Sequence, residues 1–218
     1  MNALRSFAAV AVLSLGTSSA WGDVKAPNPL ADYKADREYD VRSPKSTFFI
    51  EQRMGGSYGW QTWIRPTRRH SSPYQLRLWH DGEIDWAGNF HVSPNEKYLL
   101  QTQKTGSGDN YGAIFVRDKT HRFVLAHPVM PFSPLSENAW DFFRKSTGLK
   151  ATVYHAGIEF IAWGTDGVCV EISVHGSDCY EQYYVDDWRL HYNLVSHQFF
   201  QTRDQLIHNR HAIVDKRG

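Results

Sequence analysis

The chain has 218 residues, 24 Lys and Arg against 23 Asp and Glu, and is 41% hydrophobic and 22% charged. This is enough apolar material for a real core and excludes wholesale disorder. The near-zero net charge argues against a nucleic-acid binder, and no apolar run is long enough to span a bilayer as a helix.

Residues 1–20 have the layout of a secretory signal peptide: Arg5, then the apolar run Ser6 to Leu15, then small residues ending at Ala20. Cleavage after Ala20 or Gly22 removes Arg5 and no acidic residue, leaving 23 charges of each sign. The expected compartment is the periplasm or the extracellular space. Residues 21–42, with Pro27 and Pro29, read as an extended lead-in, and 43–218 as one β-rich domain.

Strands are expected at 47–53, 59–65, 89–92, 97–103, 112–117, 122–127, 151–155, 158–163, 168–174, 188–193 and 198–201, where apolar, β-branched and aromatic residues cluster between turn formers. Residues 74–87 read as a hairpin around Asp81-Gly82, a type I′ turn signal that would pair Trp79 with Ile84 and Arg77 with Trp86. The glycine-rich stretch from Gly106 to Gly112 lies between two expected strands and reads as a hairpin turn rather than a dinucleotide loop. Two segments read as helical. Ser133-Pro134 supplies an N-cap and first-turn proline for a helix that buries Leu135, Ala139, Trp140, Phe142 and Phe143 and stops at Gly148. Thr202 and Gln205 are spaced as a capping box for a second, shorter helix.

The chain also repeats itself. Residues 43–57 (SPKSTFFIEQRMGGS) and 93–107 (SPNEKYLLQTQKTGS) share the Ser-Pro and Gly-Ser pairs, and the triplet Phe48-Phe49-Ile50 falls on Tyr98-Leu99-Leu100. Residues 163–170 (WGTDGVCV) read as a degenerate third copy, and a second echo links 114–123 with 190–199. Short repeated β-units of this kind point to blade-like sheets. The stretch Ser93-Pro94-Asn95-Glu96-Lys97-Tyr98-Leu99-Leu100 resembles the turn-and-strand motif of WD-type β-propeller repeats in periplasmic proteins, and Ser43 to Ile50 resembles it more weakly. Where that motif has Asp-Gly, this chain has Asn95-Glu96 and Lys45-Ser46. The resemblance implies an all-β fold of repeated antiparallel sheets, propeller-like or sandwich, often used as a binding platform; a closed propeller needs about four or more blades, more than this chain supplies.

Nucleophile-elbow, zinc-helix and phosphate-loop patterns are absent from the sequence. The densest polar cluster, His80, Asp81, Glu83 and Asp85, reads first as a solvated hairpin tip. The eleven histidines are scattered, which favours ordinary hydrogen-bonding roles. Cys169 and Cys179, an even count in an exported chain, suggest a disulfide closed through a bent loop at Ser177-Asp178. The best ligand-binding candidate is aromatic and basic: Trp60, Trp63, Arg65, Arg68 and Arg69, in which a flat ring beside guanidinium forks suits a sugar or an anion. Trp60 and Trp63 are three apart, so in a strand they face opposite ways.

These features favour a non-catalytic binding or scaffold module for a glycan, peptide or envelope protein. No cofactor or metal is expected, and homo-oligomerisation is left open. The rival readings are a secreted hydrolase with a His/Asp/Glu site near residues 80–91 and an envelope assembly component.

Overall fold

A computed structural model describes residues 37–54, 60–69, 71–76, 87–105, 109–126, 135–149, 152–178 and 182–216. The fold is mostly β, built from three antiparallel sheets that follow one another along the chain. The first sheet runs β1 (Arg37–Arg42), β2 (Phe48–Met54), β3 (Trp60–Pro66) and β4 (Tyr74–Gln75) in sequence order. The second repeats that order with β5 (Asn89–Val92), β6 (Tyr98–Thr105), β7 (Asp109–Arg117) and β8 (Phe123–Leu125). The third holds β9 (Tyr154–Trp163), β10 (Cys169–Ser177), β11 (Tyr183–Asn193) and β12 (Gln198–Phe200), with β13 (Ile213–Asp215) also paired to β11. Helix α1 (Leu135–Thr147) lies between the second and third sheets in sequence, and helix α2 (Arg203–His208) follows β12 with the expected Thr202–Gln205 capping box. Among the described residues, no helix is long and apolar enough to cross a membrane.

Period-two alternation divides the core. In β6 and β7, Leu99, Ala113 and Phe115 face the first sheet, where they meet Phe48, Ile50 and Ile64. Their neighbours Tyr98, Leu100 and Ile114 face the other way, toward Ile158, Val170 and Ile172 of the third sheet. The second sheet is thus apolar on both sides, as a middle layer must be. Away from the apolar rows, the seam with the first sheet becomes amide-rich: the Gln52 side chain both accepts from Gly88 N and donates to Gly88 O, each at 2.8 Å. Gly112 marks the close approach to the third sheet, because a Cβ there would lie 2.2 Å from Ile158 Cδ1.

The repeat seen in the sequence is a repeated turn. Ser43 N bonds Phe48 O and Ser46 N bonds Ser43 O; Ser93, Tyr98 and Glu96 repeat these two bonds; Gly164, Cys169 and Gly167 repeat them again. The fourth residue of each turn, Ser46, Glu96 or Gly167, has positive φ. Position 167 alone has the glycine this conformation favours. The second echo is also real: His121 and His197 occupy matching left-handed positions in the β7–β8 and β11–β12 turns.

The motif's departures join the three turns. Glu96 accepts from Lys45 N at 2.6 Å and from Thr47 Oγ1, and Arg117 stands 3.7 Å away. Asn95 Nδ2 donates to Asp166 O at 3.0 Å and Gly167 O at 3.1 Å. Each of the two residues that replace Asp-Gly in the middle turn therefore bonds to a different neighbouring sheet.

Several expectations need correction. Arg37–Arg42, expected to be part of the extended lead-in, pairs with β2 as strand β1. The two strands expected at 151–155 and 158–163 form the single strand β9. Cys169 carries a free thiol, not a disulfide sulfur. It opens the nine-residue strand β10, so Ser177 lies roughly 26 Å away at ordinary strand rise. Cys179 is outside the described residues. Asp178 N bonds Tyr183 O at 3.0 Å, at the far end of the strand from Cys169. The Asp81-Gly82 hairpin tip with His80, Glu83 and Asp85, the segment 1–36, and His70 all fall outside the described residues.

Candidate functional site

The aromatic-plus-basic stretch is split by the fold. Trp63 is 0% exposed and sits opposite Glu51 in the β2–β3 ladder. Arg65 Nε meets Glu51 Oε1 at 2.5 Å, Arg53 meets Glu51 Oε2 at 2.8 Å, and the Arg65 guanidinium lies 4.4 Å over the Phe49 ring. Trp63, Arg65 and Glu51 thus share one face of the first sheet, held together by packing and a buried carboxylate. Trp60, half-buried, is on the other face by strand parity, opposite Met54. Arg68 and Arg69 are exposed beyond the end of β3.

A ligand-sized space lies elsewhere, between the second sheet, α1 and the β11–β12 turn. It is a cavity of about 620 Å³, within the range typical of small-molecule sites. One wall is Tyr98, Ile114 and Val116, from strands β6 and β7. A second is α1, whose residues Leu135, Asn138, Phe142 and Lys145 recur at helical spacing along one side. The third carries Tyr192, Leu194 and Phe199.

Its aromatic residues pack on one another. The Phe142 and Phe199 rings stack with centroids 5.8 Å apart, and Tyr192 lies 4.7 Å from Phe199. Burial raises the pKa of the Tyr192 phenol, so it stays protonated, and its hydroxyl meets His197 Nδ1 at 3.2 Å. Lys97 and Lys145 line the mouth, Lys97 with its ammonium 5.3 Å over the Tyr98 ring. Asp141 also lines it and pairs with Arg144 at 3.2 Å.

A second, more polar cleft of about 410 Å³ contains His91, Thr102, Lys104, Asn110 and Glu159. His91 stacks on Phe160 with centroids 4.0 Å apart, and burial lowers its pKa, favouring the neutral imidazole. The other histidines with assigned partners serve structure. His191 bonds Gln205, which reaches Glu171, and His208 joins the Asp187–Arg189 pair. Among the described residues, no three His, Cys, Asp or Glu side chains converge as a metal site would require.

The sequence reading missed the larger cavity because three separate segments build it. Its signals were nonetheless present: the apolar side of α1 and the echo segment 190–199, which supplies Tyr192, Leu194, His197 and Phe199.

No known family matches the chain, and no curated protein matches it in sequence. Several solved structures are similar in part, among them the following two. One is a protein assigned as a 6-phosphogluconolactonase from Bacteroides uniformis, at 12% identity and TM-score 0.40, covering 84% of this chain and 42% of that one. The other is a protein assigned as TolB from Agrobacterium tumefaciens, at 9% identity and TM-score 0.33, covering 77% of this chain and 61% of that one. The chain thus spans less than two thirds of either protein, and neither likeness bears on activity at these scores.

Proposed function

We propose that this protein is an exported, non-catalytic binding module whose ligand occupies the cavity between the second sheet, α1 and the β11–β12 turn. The observation that carries this reading is the cavity itself: about 620 Å³, walled by Tyr98, Phe142, Tyr192 and Phe199, with its polar groups at the mouth. Export rests on the Arg5, apolar-run and small-residue succession at the N-terminus.

The test is calorimetric titration with glycans, short peptides and small aromatic amphiphiles. Ala126 is half-buried on the cavity wall, so Ala126→Phe should block the space. Binding lost in Ala126→Phe, with the melting temperature kept, supports the cavity. Binding kept there but lost in Arg68→Ala/Arg69→Ala moves the site to the basic stretch beside Trp60. Of the hydrolase reading, a His/Asp/Glu site near residues 80–91, the described residues include His91, which lines the polar cleft with Glu159. Turnover of an ester or glycoside that disappears in His91→Ala would favour it instead.

A further inference from the structure

The distribution of charge around the cavity narrows the ligand class. Several arginines of the fold are committed: Arg53 and Arg65 to Glu51, Arg117 to Glu96, and Arg189 to Asp187. Lys97 and Lys145, at the cavity mouth, have no carboxylate partner among the described residues. They come from opposite walls, Lys97 from the strand side and Lys145 from the last turn of α1. The carboxylate beside them, Asp141, already has Arg144. Tyr192 meets the exposed His197 at the rim, and Leu135, Phe142, Leu194 and Phe199 supply the apolar wall.

We propose that the cavity binds an anionic amphiphile, a small molecule with a flat or branched apolar body and one acidic group, the body against Phe142 and Phe199 and the acid between Lys97 and Lys145. This rests on the reading of the cavity as the binding site. A sugar would bring hydroxyls against the apolar wall of Leu135, Phe142, Leu194 and Phe199, and each one left unpaired weakens binding. An apolar body suits that wall, and the exposed lysines need only meet an anion at the mouth. Lysine is a point charge on a flexible stem, so the site selects for negative charge rather than for a particular acid geometry.

The test uses two fluorescent compounds that differ in one group: anilinonaphthalene sulfonate and its neutral analogue N-phenylnaphthylamine. The wild-type protein should bind the sulfonate about fivefold more tightly, the effect of two solvent-exposed charge pairs. Lys97→Ala/Lys145→Ala should erase that difference and leave the neutral compound unchanged, as should salt at roughly 0.5 M, where exposed charges are screened. Lys97→Gln/Lys145→Gln repeats the measurement with longer side chains should the alanine variant fold poorly. Equal binding of the two compounds by wild type, or a sulfonate preference that survives in the lysine variants, overturns the proposal while leaving the cavity a binding site. Failure of both compounds to bind, or binding unaffected by Ala126→Phe, overturns the binding-site reading and this proposal with it.

Discussion

The second sheet meets its two neighbours in different ways. Against the first sheet it packs a filled seam, with Phe48, Leu99 and Phe115 all at 0% exposure, continued by the Gln52–Gly88 amide pairing. Against the third sheet the packing is as dense near Ile158 and Leu100, but toward Lys97 the helix α1 enters and a cavity of about 620 Å³ remains. Alternate residues of the same strands make both contacts, so the difference comes from what is inserted. Strand on strand closes the seam, whereas a helix laid beside the second sheet leaves a space that side chains of ordinary length do not fill. A ligand site in such a fold is expected where the repeat is interrupted.

The sharpest way to test this contrast is a matched pair of truncations. Phe115→Ala, in the filled seam, should cost about 3–5 kcal/mol of stability, because the void has no room to relax. Phe142→Ala, on the half-buried cavity wall, should cost about 1–2 kcal/mol, in proportion to the smaller area it removes from water, while weakening ligand binding. Denaturant midpoints for both variants decide the matter; equal losses would mean that the cavity wall is as much core as the seam.

The next effect concerns the turns that join the sheets. Burial alone would raise the pKa of Glu96, but hydrogen bonds from Thr47, Ser43 and Lys45, with the Arg117 charge, outweigh it and hold the carboxyl below its usual range. A depressed pKa in the folded state means the stabilisation is complete above the unfolded value, near 4.5, and disappears as pH falls through the folded value. Glu96→Gln should therefore cost about 1–3 kcal/mol at neutral pH, the range for a buried polar group deprived of its partners. The gap to wild type should narrow as pH drops below about 4, where the wild-type carboxyl is protonated too. Thermal melts across that range would show it, and a gap independent of pH would assign the loss to packing alone.

Much of this architecture is legible in the amino-acid sequence, for a local reason. A hairpin turn is built from a few consecutive residues, so Ser43-Pro44, Ser93-Pro94 and the degenerate copy at 163–170 are legible from local sequence. The capping box of Thr202 and Gln205 is equally local, while the Ser133-Pro134 start signal of α1 lies outside the described residues. What spacing does not show is which residues meet across sheets. Trp63 resembled a ligand platform because its neighbours in the chain are basic, yet its neighbour across the ladder is Glu51. The chain spacing of Cys169 and Cys179 suggests a bridge, yet Cys169 opens an extended strand and carries a free thiol. The cavity draws on segments spread from Lys97 to Phe199, and nothing local links Phe142 to Phe199.

Apart from β13, each sheet is a meander of strands adjacent in sequence, so these pairings close short loops and can form early. The bonds made by Asn95 and Glu96 are of another kind, spanning 71 residues to Asp166 and 51 to Lys45. They have correct geometry only once neighbouring sheets have docked, which places them late on the folding path. Interactions absent from the transition state act on the unfolding rate and not on the folding rate. Stopped-flow kinetics of Glu96→Gln should accordingly show faster unfolding with refolding little changed; a variant that mainly refolds slowly would place the turn contacts in the folding nucleus. Asn95-Glu96 would then act as a kinetic lock, setting how long a three-sheet stack stays assembled once formed.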